Sequence, residues 1–228
     1  MCTQTFPIPH RAVALWLGVI AACALSSCAF LQPRADPTRF YVLTMPNAFS
    51  QPAVAGEFTR WKIGLRPVEM PAYLHTKLMV VRTGTNEIHF AEFDRWAEPL
   101  DEGISRVMKE NLGSARNVES VALNSHGEKA LDYEVSLRVL ASEGVRGETG
   151  SGSIRFSMAW ETQSVGTNST AVKRGVFTAS PTAWDGKNYG ELALGLSEAI
   201  AGAAKMLSAN LPVDAASDKS SNRDIPRP

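Results

Sequence analysis

The chain has 228 residues, 44% of them hydrophobic and 20% charged, with Lys plus Arg and Asp plus Glu both at 23. This composition is that of a globular protein and excludes a collagen-like, coiled-coil or wholly disordered chain. The zero formal charge argues against nucleic acid as a partner, because phosphate binding needs a clustered basic excess.

Residues 1–11 hold one charge, Arg11, and the apolar run Ala12 to Leu25 follows. Its 14 residues fall short of the roughly 20 that span a bilayer but suit the apolar region of a signal peptide. The run ends in Leu25-Ser26-Ser27-Cys28, small residues ahead of a cysteine, which is the bacterial lipobox pattern. Residues 1–27 are therefore expected to be a lipoprotein signal peptide, cut between Ser27 and Cys28. The Cys28 thiol would carry a diacylglycerol and its new amine an acyl chain. Ile20-Ala21-Ala22-Cys23 fits the pattern loosely but leaves an apolar region of only nine residues, Ala12 to Ile20. A plain secretory signal with an incidental cysteine is the bland alternative. Cleavage before Cys28 removes Cys2 and Cys23, so the mature chain has no disulfide, cysteine nucleophile or cysteine-based metal site. No further long apolar run is apparent, which gives a chain anchored to a membrane without spanning it. Several acyl chains hold stably where one does not.

Residues 28–39 read as a lipidated tether with two prolines, 213–228 as a disordered tail poor in large apolar residues, and 40–212 as one domain. Within it, Phe40 to Thr44 is a short strand. Trp61, Ile63 and Leu65 alternate with smaller or polar residues, the period of a second. Leu78–Arg82 and Glu87–Phe93 form a hairpin around Thr83-Gly84-Thr85-Asn86. Pro99 and Gly113 bracket a helix with Leu100, Ile104, Val107, Met108 and Leu112 on one stripe. Odd positions from Leu131 to Val139 are apolar in a strand ending at Ala141, and Ile154, Phe156, Met158 and Trp160 repeat the period. Ala171 to Ala179 is a weaker strand. Glu143 to Ser153 reads as a long, mobile hairpin loop, and Gly166-Thr167-Asn168 as a tighter turn. A last helix spans about Asn188 to Asn210, with Leu192, Leu196, Ala199, Ile200, Ala203 and Leu207 inward and Pro212 beyond its end. The sum is α+β: an antiparallel or mixed sheet with two helices packed on one face, in a single domain.

No catalytic constellation emerges. His75, His89 and His126 show no metal-type spacing, and no GxSxG, phosphate-binding loop or GxGxxG occurs. Gly150-Ser151-Gly152 lacks the strand-to-helix setting of a nucleophile elbow. Glu98, Asp101 and Glu102 stand at a helix start, where the helix dipole favours acids. No enzyme, cofactor or metal is expected.

Several stretches, in order, resemble the PqiC/YmbA-type ABC-transport auxiliary lipoproteins. They are the lipobox, Phe40-Tyr41-Val42-Leu43, the run Ile63 to Leu74 (IGLRPVEMPAYL), Leu78-Met79-Val80-Val81-Arg82, and Phe93-Asp94-Arg95-Trp96-Ala97-Glu98-Pro99-Leu100 running into a helix that ends Asn111-Leu112. His75-Thr76 departs from the acidic or polar turn the pattern has after Tyr73-Leu74.

The resemblance implies a palmitate-bearing outer-membrane lipoprotein facing the periplasm. It would be the non-catalytic, oligomeric auxiliary of an intermembrane lipid transporter containing a membrane-anchored MCE-domain protein. Cys28 carries over as the lipid site. Pro71, Tyr73, Leu74, Arg95, Trp96 and Pro99 match the family pattern, as structural or partner-contact residues. Trp96 is expected in the core, capping the Leu100–Ile104 stripe. Two other readings stay open: a lipid carrier with an internal apolar cavity, and an envelope hydrolase.

Overall fold

The structure, a computed structural model, describes residues 35–46, 60–125, 130–147, 150–165 and 172–211. Cys28 with the rest of the signal segment, His126, the turn at 166–168 and the tail from 213 lie outside them. In chain order the strands and helices are β1 (Arg39–Tyr41), β2 (Trp61–Leu65), β3 (Leu78–Arg82), β4 (Ile88–Trp96), α1 (Leu100–Gly113), β5 (Val118–Leu123), β6 (Tyr133–Arg146), β7 (Gly152–Ser164), β8 (Val172–Thr178), β9 (Thr182–Trp184) and α2 (Tyr189–Asn210).

The alternating segments form one long antiparallel hairpin, β6 with β7, paired from Tyr133↔Ser164 to Arg146↔Gly152. It is the spine of a mixed sheet that forks. The free edge of β6 takes parallel β2 along its first half (Ile63↔Tyr133 to Leu65↔Val135) and parallel β3 along its second (Val81↔Gly144, Arg82↔Val145). An isolated bridge, Glu69↔Arg138, lies between. Beyond β2 comes parallel β5; beyond β3 come antiparallel β4 and then parallel β1. On the other side of the spine, β8 pairs the second half of β7 and β9 its first residues.

Both helices cover one face and close a single core. The α1 stripe Leu100, Ile104, Val107, Met108 and Leu112 is buried throughout, and removing each such side chain from water contributes about 1.5–3 kcal/mol. Asp101 and Glu102 occupy the first turn of α1, where they meet the positive end of the helix. At the head of α2, the Asn188 side-chain oxygen accepts the N–H groups of Gly190 and Glu191, while its amide donates to the Glu191 carboxylate. Two donors that helix geometry leaves without partners are thereby satisfied. By length and mean hydropathy, 1.3 in its most apolar window, α2 could cross a membrane, against the expectation of no further long apolar run. Its stripe Leu192, Leu196, Ile200, Ala203 and Leu207 goes into the core instead. Gly195 allows this contact, since a Cβ there would stand 2.2 Å from Ile154 Cδ1.

Three further expectations are corrected. The long loop at Glu143 to Ser153 is largely strand: β6 runs to Arg146, and Glu143, Gly144 and Val145 pair with Arg155, Ile154 and Ser153. The cause is a β-bulge. Val139 faces Met158 and Ala141 faces Ser157, so Leu140 is the extra residue, and one extra residue swaps the faces of all that follow. Beyond it Ser142 and Gly144 point toward the helices and Glu143 points away. The second correction is that β5 and β9 are additional strands. The third concerns boundaries: β4 extends to Trp96, and the first strand stops at Tyr41.

Candidate functional site at the N-terminal edge of the sheet

The residues singled out in the sequence, Pro71, Tyr73, Leu74, Arg95, Trp96 and Pro99, lie where β1, the end of β4, the head of α1 and the turn before β3 meet. β1 is three residues long and, among the described residues, pairs with β4 alone, through Arg39↔Asp94, Phe40↔Arg95 and Tyr41↔Trp96. So short a ladder is weak by itself, and side chains reinforce it. Asp94, nearly buried, accepts the Tyr41 hydroxyl at 2.9 Å and forms an ion pair with Arg39 at 3.0 Å. Burial pushes the Tyr41 phenol up from its ordinary value, and the bond to Asp94 adds to the rise. Past the strand, the Leu43 carbonyl accepts from Arg106 of α1 at 2.8 Å, and the Thr44 N–H donates to Ser197 Oγ of α2 at 3.1 Å.

Trp96 is 4% exposed, its N–H donates to the Lys77 carbonyl at 2.7 Å, and the next N–H, of Ala97, goes to Tyr41. Pro99 stands at the N-cap position of α1 with no side-chain cap. Glu98 is held by the Arg106 guanidinium, whose pKa is raised chiefly by that bond, so its carboxylate is tied up rather than facing the helix end freely. The turn before β3 is a short 3-10 helix, Ala72–Leu74, closed by the Leu74 N–H on the Pro71 carbonyl at 2.9 Å. Leu74 is buried beneath it. Leu74, His75, Thr76 and Lys77 line one side of an open groove of about 400 Å³, and Pro99, Leu100, Asp101 and Glu102 line the other. Leu74 and Pro99 thus share the groove, Trp96 is tied to it through its backbone bond to Lys77, and Arg95 sits opposite Leu78 on the neighbouring strand. Tyr73 leaves the group for a different partner.

That partner is Glu143, whose side chain is 0% exposed. Arg82 grips it with both ends of its guanidinium, Nε to Oε1 at 2.7 Å and Nη2 to Oε2 at 3.2 Å; the Tyr73 hydroxyl donates to Oε2 at 3.2 Å, and Arg155 approaches to 3.6 Å. Burial first, then the Glu143 charge, raises the Tyr73 phenol. A buried carboxylate is tolerable only when paired and hydrogen-bonded, and this one is. Sequence reasoning missed Glu143 because it fell in the presumed loop. The signal was the adjacent apolar pair Leu140-Ala141, which breaks strict alternation and marks the bulge.

On the outer face of the spine, Glu69, Arg138, Glu161, Arg174 and Val176 line a shallow groove of about 490 Å³. Its ion pairs, Arg138–Glu69 and Arg174–Glu161, are exposed. His75 and His89 are exposed. Among the described residues no group of three His, Cys, Asp or Glu side chains is placed to hold a metal ion.

Comparison with known proteins gives this arrangement its context. A crystal structure of protein XCC0632 from Xanthomonas campestris, a DUF330 protein, superposes with a TM-score of 0.61 at 12% identity, covering 81% of this chain and 100% of that one. A crystal structure of an uncharacterized protein superposes at 0.58 with 16% identity, over 77% and 99% of the respective chains. At these identities the likeness is one of fold. No curated protein matches the sequence. The model of the ABC-type transport auxiliary lipoprotein component, however, matches residues 41–208, from β1 to the last turn of α2, and the chain belongs to that family.

Proposed function

We propose that the protein is an outer-membrane-anchored periplasmic lipoprotein. In this reading it docks or organises the outer-membrane end of a lipid conduit formed by an ABC-type transporter and its MCE-domain protein, as a non-catalytic homo-oligomer. The observation that carries the reading is the family match over 41–208, taken with the lipobox Leu25-Ser26-Ser27-Cys28 ahead of it. The signal occupies 1–27, the tether 28–39, the auxiliary domain 40–212 and the tail 213–228. Ala29, in place of an aspartate after the anchor, suits release to the outer membrane.

A docking element is favoured over a lipid carrier by the way α2 meets the sheet. Leu192, Leu196, Ile200 and Leu207 are each at most 2% exposed, and Gly195 brings the helix onto Ile154. Along that stripe helix and sheet pack side chain against side chain, which supports a docking element.

Two measurements test the proposal. Cys28→Ala should abolish acylation by mass spectrometry and leave an unprocessed or soluble product; normal lipidation would move the anchor to Cys23. Affinity purification of the full chain from detergent-solubilised envelope should bring down an MCE-domain protein. Clean recovery without one, or fractionation with the inner membrane, would overturn the docking role.

A further inference from the structure

Phe40 is 63% exposed at the outer edge of the sheet. Paired residues on neighbouring strands share a face and successive residues alternate, so Phe40 lies on the side away from Tyr41 and the helices. Arg95 stands beside it and Leu78 beyond Arg95; Phe93 lies two residues before Arg95, in the stretch of β4 where the register with β3 shifts. Phe93 and Val42 are also exposed. The Arg95 side chain has little to hold it: Nη2 reaches the Glu92 carbonyl at 3.4 Å, and Nε is buried with no hydrogen-bond partner. Among the described residues no carboxylate forms an ion pair with it. Exposed rings flanking an uncommitted guanidinium suit the headgroup zone of a phospholipid leaflet, where rings enter the acyl boundary and arginine takes a phosphate. The covalent path points the same way. Residues 28–39 run from the acylated cysteine directly into β1, and an extended chain advances at most about 3.6 Å per residue, so β1 stays within about 40 Å of the acyl chains.

We propose that Phe40, Val42, Phe93 and Arg95 form a membrane-contact edge that rests on the leaflet holding the anchor; this builds on the acylation of Cys28. The acyl chains supply affinity, and the edge supplies orientation, setting the β1–β4 side down and the solvent face of α2 away from the lipid.

The test uses the full chain, purified from membranes with its anchor and reconstituted into phosphatidylethanolamine/phosphatidylglycerol vesicles with plain or brominated acyl chains. Trp61, Trp96, Trp160 and Trp184 are buried, so an indole added by Phe40→Trp reports alone in the difference spectrum. Its emission should move to shorter wavelength on vesicles and be quenched by bromine. Leu194→Trp, on the exposed side of α2, should show neither effect. The mass of the Cys28 peptide is read in parallel. Unquenched emission from Phe40→Trp on an acylated chain overturns the edge. So does equal quenching of both indoles, which means the domain has no fixed orientation. A blue-shifted but unquenched indole, with an oligomer that dissociates in Phe40→Ser, assigns the edge to protein contact and overturns it too. Quenching on a chain whose Cys28 is unmodified supports the edge and removes the anchor reading alone.

Discussion

The two ends of the β6–β7 spine handle charge in opposite ways. At the end flanked by β2 and β8, Arg138 and Glu69 pair in the open, each side chain 67% exposed, and Arg174–Glu161 is looser still. At the end flanked by β3 and β9, Glu143 is sealed beneath Tyr73, Arg82 and Arg155. Water screens the first kind of pair, and side-chain entropy offsets what remains, so it contributes roughly 0–1 kcal/mol. The second has shed its water and depends on every partner present. Ion pairs of the same residue types thus decorate one end of the sheet and fasten the 71–76 turn to the other.

Breaking the sealed pair should have the largest effect. Glu143→Ala leaves Arg82 without its principal anion and is expected to cost about 3–5 kcal/mol in urea unfolding at neutral pH, a large part of a domain's stability. A loss below about 1 kcal/mol would mean that the cluster behaves like a surface pair. Glu143→Leu combined with Arg82→Met should regain much of that loss, because an apolar pair of similar volume carries no desolvation penalty. If the double variant is as unstable as the single, the charge itself is indispensable.

Tyr73→Phe removes one hydrogen bond to a charged acceptor that keeps its other donors, at an expected cost of about 1–2 kcal/mol. It should also flatten the alkaline limb. The folded phenol titrates above its ordinary value, so its stabilisation is complete below about pH 10 and fades as pH rises through the folded pKa. A variant as sensitive to alkali as the parent would break the link to Tyr73.

At the open end, Arg138→Ala should change stability by no more than about 0.5 kcal/mol, less in high salt. The smallest effect concerns the turn into α2. Asp185 accepts the N–H groups of Asn188 and Lys187, both at 2.7 Å, and these bonds hold its carboxyl below the usual range. Its contribution is present above about pH 4 and fades as pH falls through the folded value, so Asp185→Ala should soften the acid limb of the unfolding profile. An unchanged acid limb would show that the turn holds without the carboxylate.

The same contrast explains what could be read from the sequence. The α1 stripe, the first half of β6 and the inward row of β7 all follow one period without interruption, and each was legible. Legibility ends at Leu140, where a single extra residue inverts the phase and makes a buried glutamate look like loop. β5 escapes because its buried residues Val118 and Val121 are three apart, and β9 because three residues show no period. The parallel pairings of β1, β2, β3 and β5 join segments far apart in the chain, and no local pattern encodes them. At the site, Trp96 and Pro99 could be placed by their neighbours, whereas the bond from Tyr73 to Glu143 depends on that fold.

The ties around β1 have a mechanical consequence. A pull on the chain ahead of Arg39 does not peel a lone three-residue strand from the sheet. It meets the Asp94 clasp first, and just behind it two bolts: the Leu43 carbonyl to Arg106 in α1 and the Thr44 N–H to Ser197 in α2. Tension entering there is shared between the sheet and both helices, through the Asp94 clasp and one hydrogen bond to each helix.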